Sequence, residues 1–253
     1  MHPVSSMASL SRQPLDRHAA ILCDLDGCLI SGDRVYDGAR AFAARNEDRL
    51  WIVSNNSADT AETLSARLHR LALPIAPERI VLAGEQTLRR LALAHPGAAI
   101  AMHAEAPLVA LAHDLGLVVG ESAPACILLA RQTRFDLNSL GRLVAQLESG
   151  APLHVANLDR THPGPDGYPV PETGALLAAL RACRPDVAFR SIGKPAPDLI
   201  DIALERAGAT RGDALFIGDN PETDGLAARA AGVAFIHIEA PGALPASDGR
   251  ATC

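Results

Sequence analysis

The chain has 253 residues, of which 48 % are hydrophobic and 3 % aromatic, and its formal net charge is −6. This length and hydrophobic content predict a buried core rather than a disordered chain. The negative charge argues against a nucleic-acid partner, and the apolar runs are too short to cross a bilayer, which argues against a membrane protein. We therefore expect a soluble cytoplasmic protein.

Residues 1–17 are polar and lack the apolar segment of a signal peptide, and we expect them to be a disordered lead-in. The five cysteines are widely spread and form no C-x-x-C pair, which is typical of reduced, buried thiols. Cys23 and Cys28 flank two aspartates, so a redox-sensitive site stays open as an alternative. The nine histidines lack metal-ligand spacing, which argues against a zinc site.

Apolar strands and helical segments alternate along most of the chain. AILCDLD precedes a helix near residues 38–46, and LWIVSN precedes a helix over about 58–71. Towards the other end, DVAFRSIGK precedes a helix near 196–207, DALFIGDN precedes one near 222–231, and VAFIHIE follows. This alternation, with strands that are apolar throughout, predicts a parallel sheet covered by helices on both faces.

The middle of the chain repeats this pattern as a separate block. Three strands, AAIAMHA, ACILLA and PLHVANLD, alternate with the helices APLVALAHDLG and DLNSLGRLVAQLES. The turn-rich loop DRTHPGPDGYPVPETG and the helix ALLAALRACR follow. We predict an α/β fold, with a Rossmann-like, doubly wound parallel sheet core over 18–78 and 190–253 and an α/β domain inserted at 79–189.

Polar side chains follow each core strand. They are Asp24 and Asp26 after the first strand, Ser54, Asn55 and Asn56 after the second, Lys194 near the third, and Asp219 and Asp224 after the fourth. Ligands of open parallel sheets bind at the carboxyl ends of the strands. We therefore expect these side chains to converge on one edge of the sheet.

A cluster of carboxylates at one edge needs a counter-charge. Two unit charges about 4 Å apart repel by about 4 kcal/mol at an effective dielectric constant near 20. A hard divalent cation would relieve this repulsion among Asp24, Asp219 and Asp224, and Mg²⁺ suits a site with few carboxylates and room for water. A metal, an ammonium group and neutral donors around a carboxylate indicate phosphoryl transfer.

Each element taken singly has another explanation. Ser54 and Asn55 could cap the following helix, and Lys194 could be a solvated loop residue. GDNPETD could be a turn followed by acidic residues favoured at a helix N-terminus. The combination, with each element at a strand end, favours the site.

Four motifs, DLDGCL, VSNNS, GKPAPD and GDNPETD, resemble in this order those of the haloacid dehalogenase (HAD) superfamily. The SNNS form and the segment NLDRTHPGPDGYPVPETGALLAAL resemble its p-nitrophenylphosphatase-like (NagD-like) branch, which includes pyridoxal-phosphate, phosphoglycolate and nucleotide phosphatases. The resemblance runs from about Ile21 to Glu239. It implies a Mg²⁺-dependent phosphatase for a small-molecule phosphate ester, with an inserted α/β domain that also mediates a homodimer.

The resemblance assigns roles to the matching residues. Asp24 would be the nucleophile that forms an aspartyl-phosphate, and Asp26 would protonate the leaving group and then activate water. Ser54 and Asn55, with Asn56 beside them, would hold the phosphoryl oxygens. Covalent catalysis of this kind explains why two aspartates follow one strand.

The remaining roles concern charge. Lys194 would bridge the nucleophile and the transferring phosphate. The Mg²⁺ ligands would be Asp24, the main-chain carbonyl of Asp26, and Asp219, with Asp224 orienting this shell. An acid at the position of Asp26 favours phosphate ester hydrolysis over dehalogenation, because a halide leaves unprotonated.

The inserted domain carries the expected specificity loop. DRTHP resembles the loop of pyridoxal-phosphate phosphatases, with His162 placed to contact the substrate; a loop histidine without function is the alternative. Glu172 stands where the branch usually has the first glycine of Pro-Gly-x-Gly, and Ala130, Arg131 and Gln132 replace a usual Gly-x-Asp. These departures bear on substrate identity, on the geometry of the inserted domain and on dimerisation, and they leave the four motifs untouched.

Two other functions stay open at this stage. A phosphotransferase or mutase would hand the aspartyl-phosphate to a sugar hydroxyl. A receiver-like module, which is not an enzyme, would use the phosphorylated aspartate as a switch. Receivers are about half as long, lack a large insertion and need no acid two residues after the phosphorylated aspartate.

Overall fold

The computed structural model of the protein describes residues 6–120, 123–164 and 168–239. The strands are β1 Ala20–Cys23, β2 Ile30–Ser31, β3 Arg34–Val35, β4 Leu50–Ser54, β5 Ile80–Leu82, β6 Ala99–His103, β7 Val118–Val119, β8 Ile127–Leu129, β9 Leu153–Val155, β10 Thr161–Pro163, β11 Pro169–Pro171, β12 Phe189–Arg190, β13 Ala214–Gly218 and β14 Ala234–His237. The α-helices are α1 Met7–Leu10, α2 Ala39–Arg45, α3 Ala61–Arg70, α4 Ala83–Ala94, α5 Ala106–Asp114, α6 Leu137–Leu147, α7 Thr173–Cys183, α8 Asp198–Ala207 and α9 Leu226–Ala231.

The core is a five-stranded parallel sheet in the order β14-β13-β1-β4-β5. Its central strands are buried at every position, as apolar runs between two helical layers require. Side chains of α2 and α3 pack on one face, and those of α8 and α9 pack on the other. The predicted fold class, a doubly wound parallel sheet with an α/β insertion, is confirmed.

A second five-stranded parallel sheet has the order β12-β9-β8-β6-β7. Side chains of α4 and α5 pack on one face of this sheet, and those of α6 and α7 pack on the other. Two antiparallel hairpins, β2–β3 and β10–β11, complete the architecture of the described residues. None of the described helices is both long and apolar enough to span a membrane.

Strand pairing differs from the expected boundaries at both ends of the insertion. β5 pairs with β4, so the first sheet extends to Leu82 and passes the boundary expected at residue 79. β12 pairs with β9, so the second sheet extends to Arg190. Such short strands carry too little periodicity to be recognised from sequence. We propose residues 83–190 as the insertion and use the word for them below.

Two segments expected to be irregular are ordered. Residues 6–17 were expected to be disordered, but α1 places Met7 and Leu10 in the core cluster against α2. The turn-rich loop forms the β10–β11 hairpin, in which His162 pairs with Val170. Prolines are tolerated there because both strands of a two-stranded ribbon are edges. Residues 165–167 of this loop and 240–253 of the predicted core lie outside the described residues.

The cysteines follow the sequence expectation with one exception. Cys23, Cys28 and Cys126 are buried and free, whereas Cys183 is a free thiol exposed near the end of α7. Cys253 lies outside the described residues.

Candidate active site

A glycine turn directs the two aspartates that follow β1. Gly27 has a φ of +85°, a conformation that favours glycine. A Cβ atom built on Gly27 would lie 2.1 Å from Oδ2 of Asp219, which follows β13. The ends of β1 and β13 therefore approach so closely that a side chain at position 27 would occupy the space of the Asp219 carboxylate.

Lys194 lies between two carboxylates from different parts of the chain. Its Nζ is 2.7 Å from Asp24 Oδ1 and 2.6 Å from Asp224 Oδ1, and the residue is 1 % exposed. Burial opposes its charge, but the carboxylates of Asp224 and Asp24 raise the pKa of Lys194 above its usual value. Lys194 is therefore a fixed ammonium group beside the predicted nucleophile.

Asp224 binds both the Lys194 ammonium and the backbone of the loop in which it lies. It lies in a π-helical turn, Pro221–Gly225, of the kind often found at functional sites. Asp224 Oδ2 accepts a hydrogen bond of 3.1 Å from the Asn220 N–H, and Oδ1 accepts the one from Lys194. Both oxygens therefore have protein partners, which agrees with an orienting role and not with that of a direct metal ligand.

Three side chains meet where a cation was predicted. Ligand atoms of Asp24, Cys28 and Asp219 all lie within 4.8 Å of one another. Burial and the nearby Asp224 raise the pKa of Asp219 to about 7. Burial likewise raises the pKa of Asp24, with Lys194 opposing and Asp224 and Asp219 adding to the rise. Carboxylates that are costly to ionise together fit a bound cation.

The donor set fits Mg²⁺ through its oxygens. Asp24 and Asp219 offer hard carboxylate ligands, whereas the thiol of Cys28 is a poor ligand for a hard cation. Burial also raises the pKa of Cys28, which keeps the thiol protonated. Its Sγ lies 4.0 Å from Asp219 Oδ1, so Cys28 is a neutral neighbour of the carboxylate pair.

Asp26 lies in a different environment from Asp24. Burial raises the pKa of its carboxyl group, and the nearby His162 and Arg67 partly offset that rise. A raised pKa keeps the carboxyl group protonated at higher pH, as a general acid requires. Of the two aspartates, Asp24 makes the direct ion pair of 2.7 Å with the Lys194 ammonium, which favours its ionised form.

The side chains after β4 differ in whether their polar groups bind the protein or stay able to bind a ligand. The Asn55 amide is fully engaged, because Nδ2 donates to Asp159 Oδ2 and to the Lys194 carbonyl, and Oδ1 accepts from the Lys194 N–H. The Asn56 amide is also engaged within its own loop, with Asp59 and the Ala58 N–H. These amides therefore position the loop, which differs from the direct phosphate contact expected for them.

Ser54 keeps a donor at the cavity. It is 3 % exposed, and its Oγ accepts a hydrogen bond of 3.1 Å from the Asn56 N–H, which leaves the hydroxyl hydrogen able to donate. Ser54 lines the cavity together with Asp24.

Buried hydrogen bonds join the insertion to this loop. Asn157, 0 % exposed, donates from Nδ2 to the Asn55 carbonyl at 2.7 Å and to Ser57 Oγ at 3.0 Å. Ser57 Oγ is also 2.9 Å from Thr173 Oγ1 at the start of α7. Because buried, satisfied networks are rigid, the insertion holds the loop after β4 in place.

The insertion also closes one side of the cavity. The space is about 340 Å³, the size of a small-ligand site. The cavity is lined both by strand-end residues and by residues of the insertion. The strand-end residues are Asp24, Asp26, Ser54, Lys194 and Asp219, and those of the insertion are Arg131, Asp159, His162 and Glu172. His162 therefore lies at the site, as the sequence suggested.

Some of these insertion residues were missed at the sequence level. Asn157 and Asp159 lie two and four residues after β9, which ends at Val155 in the second sheet, so the rule that ligands lie at strand ends could have found them. Arg131 and Glu172 stand out in the sequence only because they depart from the usual residues of the NagD-like branch. Nothing local to either residue indicates that the two side chains meet.

Residues 21–118 match the haloacid dehalogenase-like hydrolase family, and residues 191–241 match a second family described as HAD-hydrolase-like. Both matches cover segments that carry the strand-end residues. The chain belongs to the HAD-like hydrolases.

Named relatives of this HAD-like hydrolase are phosphatases. Dihydroxyacetone phosphatase of Corynebacterium glutamicum is 28 % identical over 220 residues, covering 86 % of this chain and 79 % of that protein. The crystal structure of glycerol phosphate phosphatase from Mycobacterium tuberculosis in complex with magnesium is 28 % identical, with a TM-score of 0.80, covering 88 % of this chain and 68 % of that one.

The NagD structure of Escherichia coli shares the fold. It has a TM-score of 0.76 at 22 % identity and covers 87 % of each chain. The fold expected from the resemblance to the NagD-like branch is therefore confirmed.

Proposed function

We propose that this protein is a magnesium-dependent phosphatase that hydrolyses a small phosphate monoester through an aspartyl-phosphate. The proposal rests on one observation. The carboxylate of Asp24 lies 2.7 Å from the buried Lys194 ammonium, and the same cavity holds Asp26, a second carboxyl group with a raised pKa. A nucleophile, a fixed positive charge and a separate proton donor are the groups that such a reaction needs.

The first step transfers the phosphoryl group to the protein. A carboxylate oxygen of Asp24 attacks phosphorus, the bond between phosphorus and the ester oxygen breaks, and Asp26 gives its proton to the leaving oxygen. In the second step the ionised Asp26 takes a proton from water. The water oxygen attacks the aspartyl-phosphate, which releases inorganic phosphate and restores both carboxyl groups.

The groups that would stabilise charge on the phosphoryl oxygens are already in position before the substrate binds. Lys194 would contact both Asp24 and a phosphoryl oxygen, while the Ser54 hydroxyl and the backbone of Asn55 would donate to other phosphoryl oxygens. Asp24, Asp219 and the main-chain carbonyl of Asp26 would hold Mg²⁺, which when bound neutralises charge on the phosphoryl oxygens. Asp224 would keep Lys194 in position.

The relatives support this proposal, since their names describe phosphatases acting on dihydroxyacetone phosphate and glycerol phosphate. A phosphotransferase would use the same aspartyl-phosphate, and a receiver-like switch would stop at it. The insertion that encloses the cavity beside Asp26 favours an enzyme over a switch. Dimerisation through the insertion, a cytoplasmic location and the lack of a nucleic-acid partner remain predictions.

Release of inorganic phosphate from p-nitrophenyl phosphate with Mg²⁺ tests the proposal. We expect steady turnover, whereas a receiver-like switch, which stops at the aspartyl-phosphate, would release at most one p-nitrophenol per chain. A phosphotransferase would release p-nitrophenol faster than phosphate when a sugar acceptor is added. Equal release of the two products, with and without acceptor, supports the phosphatase.

A further inference from the structure

The two departures from the family pattern meet in space. Arg131, after β8, and Glu172, after β11, both belong to the insertion and both line the cavity. Arg131 Nε lies 3.2 Å from Glu172 Oε1, near enough for an ion pair but outside hydrogen-bond geometry. The same Glu172 oxygen is 2.8 Å from His162 Nδ1. We call these three residues the insertion triad.

The triad is accessible to a ligand. The side chains of Arg131, His162 and Glu172 are 26 %, 23 % and 12 % exposed, and all three line the cavity that holds Asp26. Among the described residues, Arg131 Nε has no hydrogen-bond partner. The triad therefore presents donors and a carboxylate acceptor on the side of the cavity formed by the insertion.

The charge of this wall disfavours an anionic leaving group. Glu172 offsets the guanidinium of Arg131, and Arg67, the other arginine that lines the cavity, pairs with Asp33 at 2.9 Å. The carboxyl group of Asp159 faces the same cavity. A carboxylate on the leaving group would have to lie near these acids without an unopposed cation, and like charges brought together are a recognised means of rejecting a ligand. A hydroxyl group can both donate to Glu172 and accept from Arg131.

We propose that the insertion triad selects uncharged, hydroxyl-bearing leaving groups and rejects carboxylated ones. The inference rests on the proposed phosphatase activity, because it concerns the part of the substrate that leaves. Glu172 discriminates against carboxylated leaving groups, and Arg131 donates a hydrogen bond to the hydroxyl of the accepted ones.

Two substrates with one carbon skeleton test this selection. Glycerol 3-phosphate and 3-phosphoglycerate differ in a hydroxymethyl group and a carboxylate. We expect the wild-type protein to prefer glycerol 3-phosphate by kcat/KM. Glu172→Gln removes the negative charge and keeps an oxygen that can still cap α7, where Glu172 Oε2 accepts from the Thr173 N–H. The ratio of kcat/KM values should shift about tenfold towards 3-phosphoglycerate, mainly through KM.

Arg131→Gln provides the second variant. It removes the positive charge, replaces the guanidinium donors by a shorter amide and leaves Glu172 charged, so KM for glycerol 3-phosphate should rise and the rejection of 3-phosphoglycerate should persist. Glu148→Gln and Arg134→Gln are matched controls, because both residues are exposed in the insertion and neither lines the cavity. They should leave the ratio unchanged. A ratio between substrates is insensitive to a loss of folded protein, which lowers both rates equally.

The outcomes separate the two proposals. A wild-type preference for 3-phosphoglycerate, or a Glu172→Gln ratio equal to that of the wild type, would overturn the role of the triad while leaving the phosphatase intact. Absence of turnover on p-nitrophenyl phosphate as well as on both test substrates would instead remove the proposed activity on which the inference rests.

Discussion

Lys194 Nζ lies 2.7 Å from Asp24 Oδ1, and this lysine is the only one in the chain. Every other residue among the 23 lysines and arginines is an arginine. A compact ammonium fits between the two carboxylates of a closed site, where the larger planar guanidinium would need more room. The pairing brings together a residue that precedes the insertion and one that follows it.

Lys194→Met tests how far this pairing stabilises the fold. The change leaves the buried Asp24 and Asp224 without their counter-charge, so the free energy of unfolding should fall by about 3–5 kcal/mol. Urea denaturation measures this. The double variant Lys194→Met with Asp224→Asn should lose less than the sum of the single losses, because one uncompensated charge is gone. Strict additivity would show that the two residues do not interact.

Asp24→Asn should abolish turnover while leaving the protein folded. The change removes the nucleophilic oxygen and a cation ligand but almost no volume. Steady-state kinetics on p-nitrophenyl phosphate and a thermal unfolding curve measure the two effects. Asp201→Asn is the control, since Asp201 is an exposed partner of Arg211 remote from the cavity. Asp24→Asn activity above a few per cent of the wild-type rate would contradict the covalent mechanism.

Removal of divalent metal should stop turnover, and Mg²⁺ should restore it. Ca²⁺ should inhibit, because it takes more ligands at longer distances than Mg²⁺ and would misplace Asp24. Mg²⁺ should also raise the unfolding temperature of the chelator-treated protein, since a ligand that binds only the folded state stabilises it. Full activity in excess chelator would rule out the metal.

Gly27→Ala should weaken Mg²⁺ binding. The new methyl group would collide with the Asp219 carboxylate, which lies 2.1 Å from the position of that Cβ. Gly116→Ala is a matched control, because Gly116 also has a positive φ, of +77°, with nothing within 4 Å of a built Cβ. The Mg²⁺ concentration for half-maximal activity should rise in Gly27→Ala only. An equal rise in both variants would assign the effect to backbone strain.

His162→Ala should raise KM for the preferred substrate by about tenfold, the scale of one lost hydrogen bond. It should change KM for p-nitrophenyl phosphate much less, because that leaving group offers few polar contacts, and kcat should stay nearly constant. His113→Ala, an exposed histidine in α5, is the control. If both substrates lost activity equally, His162 would act through the fold or the chemistry, and its specificity role would be withdrawn.

The core fold and the strand-end part of the site could be predicted from the order of the residues along the chain. Apolar strands alternating with helices specify a parallel sheet, and such a sheet brings the carboxyl ends of its strands to one edge. That rule is local, because it needs only the residue that follows each strand. It therefore predicted Asp24, Asp26, Ser54 and Asp219 as neighbours, and all of them line one cavity. Lys194 lines the same cavity, but the strand predicted before it in the core, β12, pairs instead with β9 of the second sheet.

The hydrogen-bond partners of these neighbouring side chains could not be predicted in the same way, because they depend on how remote segments pack. Asn55 and Asn56 carry amides suited to phosphate, yet both amides hydrogen-bond to protein groups, Asn55 to Asp159 and to the backbone of Lys194. The meeting of Arg131 with Glu172 likewise depends on how β8 and the β10–β11 hairpin pack. Hydrophobic periodicity encodes which face of an element is buried, but it carries no information on distances between side chains of remote segments. Those distances follow from the packing of the two sheets and their helices.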